Sequence, residues 1–364
     1  MFSFLHSKKQ SMLGLDISSS SVKLLELSSH NGHLKVESYG IAPLPPQAIA
    51  ERKIQQPEQV GIAIKKLVEL AQPSTRHTVS AVSGASVVTR KIQMPAHLTS
   101  DELELQIMVE ADQFIPFSLN EVAIDFEILG PVEERPDKNH VLLVACRRET
   151  VEDLQEALHF GGLIPKVVDI ESYAIERVVS SIDPQGAKAI KPQKGVTDRK
   201  PLIAVVDIGA TMTNLSILHQ GEIIYSRDQL FGGKQLTEEI MRHYKMSYGE
   251  AILAKKKGGL PEDYNKKLLQ PFQQASLQQI TRSLQLFYSS SAYNNVDYLL
   301  LTGGSSATRG LSSVVHHALG IPCSVANPFA NTSINTKIDP EALNNDAPAL
   351  LVAFGLAMRN LVDA

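Results

Sequence analysis

The stretch Met12-Leu13-Gly14-Leu15-Asp16-Ile17-Ser18-Ser19-Ser20-Ser21-Val22-Lys23 decides how this chain is read. An apolar, strand-like run ends in an aspartate, small residues turn the chain, and a second apolar run begins. The pattern returns in the other half as Ala204-Val205-Val206-Asp207-Ile208-Gly209-Ala210-Thr211-Met212-Thr213-Asn214. Each hairpin sets backbone N–H groups and hydroxyls where a phosphate can lie, and its aspartate can hold a hydrated cation. Two facing copies would grip a nucleotide from both sides. One copy alone is an ordinary strand-end turn, so the signal is the repetition.

Composition is compatible with that reading. The 364 residues suffice for two lobes with separate cores. With 35 basic and 39 acidic residues, net charge −4, no basic footprint for nucleic acid exists. Cys146 and Cys323 lie in apolar surroundings without CxxC spacing and read as buried structural thiols of a reducing cytoplasm. Residues 1–10 have neither the apolar core nor the cleavage site of a signal peptide and read as a tail. Phe2, Phe4 and Leu5 beside Lys8-Lys9 leave a weak lipid contact as the alternative. The longest apolar run, Pro348 to Met358, falls well short of the ~20 residues that span a bilayer.

Working outward from the first hairpin, strands are predicted over 12–17, 22–28 and 34–39, broken by Pro43, Pro45 and Pro46. Val60, Ile64, Leu67, Val68 and Ala71 predict a helix over 57–71. These, with 161–182 and 347–364, make a first-lobe core spanning 12–77 and its returns. Residues 78–160 read as an inserted α+β unit, with strands near 79–82, 87–92, 123–129 and 140–146 and helices from Thr99 and Thr150. Residues 183–201 carry Pro, Gly and Lys without periodicity and read as a flexible linker. The second-lobe core is expected over 202–230 and 295–346, with a helical subdomain over 231–294 between them.

Together with the strand and glycine pair Leu300-Leu301-Thr302-Gly303-Gly304-Ser305, the hairpins resemble the phosphate-1, phosphate-2 and adenosine segments of the actin/Hsp70/sugar-kinase ATPase superfamily. The resemblance implies a two-lobed α/β fold built on a ribonuclease H-like repeat, with ATP or ADP and Mg between the lobes. It gives Asp16 and Asp207 the metal-side acid roles, through water, and counts them as catalytic with Glu171. Ser18, Ser19 and Ser20 become the phosphate turn and Lys23 a phosphate contact. Gly209, Thr211 and Thr213 serve the second hairpin. Gly232 and Gly233 open the helical subdomain, Lys255 is a retained nucleotide-side lysine, and Gly303, Gly304 and Ser305 border the adenosine. Glycines there would spare a flat base a collision with Cβ.

The inserted unit is similar to the subdomain of the FtsA and PilM families, and Val168-Asp169-Ile170-Glu171 and Asn327-Pro328-Phe329 favour the latter. FtsA ends in an amphipathic membrane helix, whereas this chain ends soon after Phe354-Gly355-Leu356-Ala357-Met358-Arg359. The resemblance implies a cytoplasmic, inner-membrane-peripheral type IV pilus protein that binds the N-terminal cytoplasmic segment of PilN. It would thereby connect the pilus motor ATPases to the PilN–PilO–PilP assembly. Its groove would lie between the inserted unit and the first lobe, and membrane contact would come only through partners. Alternatives are an FtsA-like filament former and, less favoured, a small-molecule kinase. The sequence is silent on a homo-oligomer.

Departures bear on chemistry. Ala210 stands where actin has a second aspartate, and Ile252 where FtsA-like proteins offer the ribose a glutamate. Glu171 is the acid available to orient an attacking water, while Asp169 reads as a cap. Hydrolysis needs a held water as well as donors and a cation, so binding with slow turnover is expected. Gly232-Gly233-Lys234 lacks the Walker A spacing, no Gly-x-Ser-x-Gly elbow occurs, and adjacent His316 and His317 point to different helix faces.

Overall fold

The computed structural model describes residues 11–181 and 200–362. Strands β1 (Leu13–Ile17), β2 (Ser21–His30) and β3 (His33–Pro43) form an antiparallel meander. A short hairpin of β4 (Ile49–Ala50) and β5 (Lys53–Ile54) leads into α1 (Pro57–Ala71). Pro57 opens that helix where its missing N–H forfeits nothing, and Val60, Ile64, Leu67 and Val68 form its buried stripe. β6 (His77–Val82) then runs parallel beside β1.

Next come β7 (Val87–Pro95), α2 (Ser100–Glu110), β8 (Val122–Val132) and β9 (Arg135–Arg147). They make a separate sheet, ordered β7-β9-β8, whose core includes Met94, Leu103, Ile107 and Leu143. Thr99 and Glu102 cap α2 reciprocally. The chain re-enters the first lobe through α3 (Arg148–Phe160), β10 (Ile164–Ile170) and α4 (Glu171–Ser181). Strand pairing thus draws tighter limits than 78–160. β6 is hydrogen-bonded between β1 and β10, and Leu154, Ala157 and Leu158 of α3 join the core beneath β1 and β2. A buried strand and an amphipathic helix carry no mark of which sheet they join, so periodicity alone assigns both to the insertion.

The second half begins with another meander, β11 (Leu202–Ile208), β12 (Thr213–His219) and β13 (Glu222–Gln229). Helices α5 (Gly233–Tyr244), α6 (Tyr248–Lys257) and α7 (Gln270–Ser290) follow, packed around Phe231, Ile240 and Phe272. β14 (Tyr298–Thr302) lies parallel to β11; after α8 (Leu311–Leu319), β15 (Cys323–Val325) lies parallel to β14. The order β13-β12-β11-β14-β15 repeats β3-β2-β1-β6-β10, with parallel and antiparallel pairings in the same places. The repetition inferred from two hairpins therefore extends through both sheets.

β16 (Ser333–Ile334) pairs with β3. The chain has crossed back to the first sheet well inside the span expected for the second lobe. After α9 (Pro340–Asp346), α10 (Leu351–Val362) packs against α4. A Cβ on Gly355 would stand 2.0 Å from the Ala174 carbonyl oxygen, so only glycine permits this helix crossing. Val205, Leu218 and Leu300 of the second sheet join the same core, which is the root of the cleft between the lobes. Cys146 is buried and Cys323 half-buried, and both are free. Apart from Lys200 and Pro201, the expected linker lies outside the described residues, as does the N-terminal tail. No helix among the described residues is long and apolar enough to cross a membrane.

Candidate functional site

The hairpin tips meet in the wall of a cleft of about 2040 Å³, roomier than the roughly 300–1,000 Å³ of ordinary small-ligand pockets. Register places Asp16 opposite Lys23 and Asp207 opposite Asn214, at equivalent points of the repeat. In the first tip the Ser18 N–H donates to the Ser21 carbonyl at 3.0 Å. The Thr211 hydroxyl donates to Ser19 Oγ at 3.0 Å, so the tips touch. Lys23 Nζ donates to Asp16 Oδ2 at 2.6 Å and to Ser18 Oγ at 2.9 Å. The lysine assigned to a phosphate thus neutralises the aspartate assigned to the metal, because cross-strand neighbours of opposite charge lie within reach.

Asp16, Ser18, Ser19, Ser20, Lys23, Glu171, Asp207, Gly209, Thr211, Gly233, Lys255, Gly303, Gly304 and Ser305 all line this cleft. Thr213 and Gly232 lie behind it. The buried Thr213 hydroxyl donates to the Phe231 carbonyl at 2.9 Å, and a Cβ on Gly232 would stand 2.5 Å from the Ala210 carbonyl oxygen. The Gly209 carbonyl joins three segments, accepting from the Gly233 N–H at 3.0 Å and from Ser305 Oγ at 2.9 Å. Lys255 Nζ donates to Thr237 Oγ1 at 2.9 Å, and burial lowers the lysine's pKa.

The two glycines after β14 differ. Gly303 has a φ of +85°, and a Cβ there would stand 2.2 Å from Asp207 Oδ1. The left-handed backbone and the Ile208 carbonyl, 2.6 Å from such a Cβ, require this glycine whether or not a base approaches. A Cβ on Gly304 would meet only the Ala349 methyl, at 3.9 Å, so this backbone opens onto the cleft and leaves room for a flat ligand.

The acidic side holds what sequence reasoning missed. Glu171 opens α4, and Arg52 sits at the tip between β4 and β5. Arg52 Nη1 reaches Glu171 Oε2 at 3.2 Å and also bonds Ser83 Oγ, while Nη2 reaches Asp228 Oδ1 on β13 at 2.7 Å. Asn214 Nδ2 donates to the same Asp228 oxygen at 2.8 Å. Burial pushes Glu171 up to about 7; the Arg52 guanidinium opposes this, and Asp16, Asp207 and Asp228 add to it. Burial also raises Asp207, with the Lys23 ammonium pulling it back. No periodicity or motif marks Arg52, since long-range pairing is invisible in a lone turn residue.

Asp169 is no cap. Its buried carboxylate takes Arg177 Nη2 at 3.2 Å and Arg359 Nη1 at 2.7 Å, tying β10, α4 and α10 together. Among the described residues no group of three or more His, Cys, Asp or Glu is placed to hold a metal ion. Asp16, Asp207, Glu171 and Asp228 share this side of the cleft with Lys23 and Arg52.

Two sheets of one plan, joined at crossed helices and open at a hairpin-lined cleft, define the two-lobed actin-like fold with an inserted α+β subdomain. Ethanolamine utilization protein EutJ from Carboxydothermus hydrogenoformans shares it, at 13% identity over 96% of this chain and 89% of that one, with a TM-score of 0.55. The family model described as type IV pilus assembly protein PilM matches residues 14–361, and the chain belongs to that family. It is also similar to a chain of the PilM-PilN type IV pilus biogenesis complex, at 30% identity over 97% of this chain and 99% of that one, with a TM-score of 0.74.

Proposed function

We propose that this chain is an ATP-binding scaffold of type IV pilus assembly, stationed at the cytoplasmic face of the bacterial inner membrane. The residues present fit a magnesium nucleotide. Ser18 to Ser20 and Gly209 to Thr211 offer backbone and hydroxyl donors at two touching tips. Asp16 and Asp207 would orient the water shell of Mg, and Gly304 leaves the space a base needs. When bound, the ion would screen the phosphate charge. Hydrolysis would be slow, because Glu171 is held by Arg52 and Ala210 presents a methyl group where a second acid would otherwise stand.

The partner is the N-terminal cytoplasmic segment of PilN, taken between the inserted sheet and the first lobe. Through it the chain would connect to the motor ATPases. The observation that carries this reading is the likeness, over nearly the full length of both chains, to the PilM-PilN complex structure. Titrating the protein with a fluorescent ATP analogue and Mg tests the nucleotide half. Saturable binding that Asp207→Ala abolishes is expected; no binding by the wild type would overturn it.

A further inference from the structure

The strongest unexplained feature is the tip that carries Arg52. Strands β4 and β5 are joined by Glu51 and Arg52 alone, with φ of 48° and 63°. Such two-residue turns usually hold Asn-Gly, because side chains are disfavoured in left-handed backbone. Gln47, leading into the hairpin, has a φ of 68°. The strain delivers one guanidinium into the cleft. There it binds Ser83 and Glu171 of its own lobe and Asp228 of the other. Arg52 Nε is buried and has no partner among the described residues. Lys23 is already engaged with Asp16 and Ser18, whereas Arg52 bridges the lobes.

We propose that Arg52 reads the terminal phosphate of the bound nucleotide, exchanging its bond to Asp228 for the phosphate oxygens and so converting triphosphate occupancy into release of an inter-lobe tie. This rests on the nucleotide reading above. A phosphate tail entering between the lobes would end near Asp207 and Glu171, the carboxylates that the Arg52 charge already acts on. The planar guanidinium matches two phosphate oxygens as well as it matches carboxylates, and the free Nε offers a further donor. A diphosphate, one phosphoryl group shorter, would not engage the guanidinium and would leave the Asp228 tie closed. Arg52 is thus a specificity residue for the third phosphate.

The test is the ratio of ATP to ADP affinity, measured with Mg by calorimetry on the full chain. Arg52→Gln should weaken ATP about tenfold and leave ADP within about twofold. Asp228→Asn keeps Arg52 in place and removes its competitor, so it should tighten ATP severalfold while leaving ADP unchanged. An Arg52→Gln protein with an unchanged ratio, or Asp228→Asn with no effect on ATP, overturns the proposal. A wild-type protein that binds neither nucleotide overturns the reading beneath it, which is a distinguishable result.

Discussion

Lys23 Nζ stands 2.6 Å from Asp16 Oδ2, and the two side chains are only 11% and 8% exposed. Removing one partner of so enclosed a pair leaves a buried charge, at a cost of about 3 kcal/mol. Asp16→Ala should therefore lower the urea midpoint as well as nucleotide affinity. Adding Lys23→Met should recover most of the stability without recovering nucleotide binding. Denaturation and titration of the two proteins separate these effects, and recovery of both together would remove Asp16 from the site.

Glu171 gives the cleft a pH response. Its folded pKa is raised to about 7 by burial, above the 4.5 of a free carboxyl, against Arg52 and among Asp16, Asp207 and Asp228. A raised acid contributes stability that is complete below about 4.5 and is lost as pH climbs through 7. Glu171→Gln cannot ionise, so above pH 7 it should be more stable than wild type by about 3 kcal/mol, the full shift at 1.36 kcal/mol per unit. Melting curves from pH 5 to 8 would show the gap opening; a constant gap contradicts it.

The turn at Glu51 stores strain that glycine would relieve. Glu51→Gly, leaving Arg52 in place, should stabilise the protein by about 1 kcal/mol. A rise of a few degrees in Tm checks it, and a fall would mean that the glutamate side chain itself holds the turn.

At the root of the cleft, Gly355→Ala would drive a methyl group into the Ala174 carbonyl. Overpacking of this kind costs about 3 kcal/mol, so the urea midpoint should drop sharply. A neutral outcome would show that the α4 and α10 crossing can open.

Much of this architecture is legible in the sequence because it is local. The Asp16 and Asp207 hairpins, the stripe of α1 and the capping box at Thr99 are written in neighbouring residues. What is not legible depends on distant pairing. By pattern alone β6 suits either sheet; its hydrogen bonds to β1 and β10 put it in the first. Two residues, Ser333 and Ile334, are too few to announce a strand, yet they return the chain to the first sheet. The sequence marks Gly303 for an adenosine contact, whereas the atoms a side chain there would meet belong to Asp207 and Ile208. Arg52 and Asp228 come together from opposite lobes, and neither carries a motif.

The most direct test of the scaffold reading is calorimetric titration of a synthetic PilN N-terminal peptide into the full chain, with and without Mg-ATP. Micromolar or tighter binding is expected, about −8 kcal/mol or better, with an affinity that Mg-ATP changes and loss of that change in Asp16→Ala. Absence of peptide binding under every condition would contradict it.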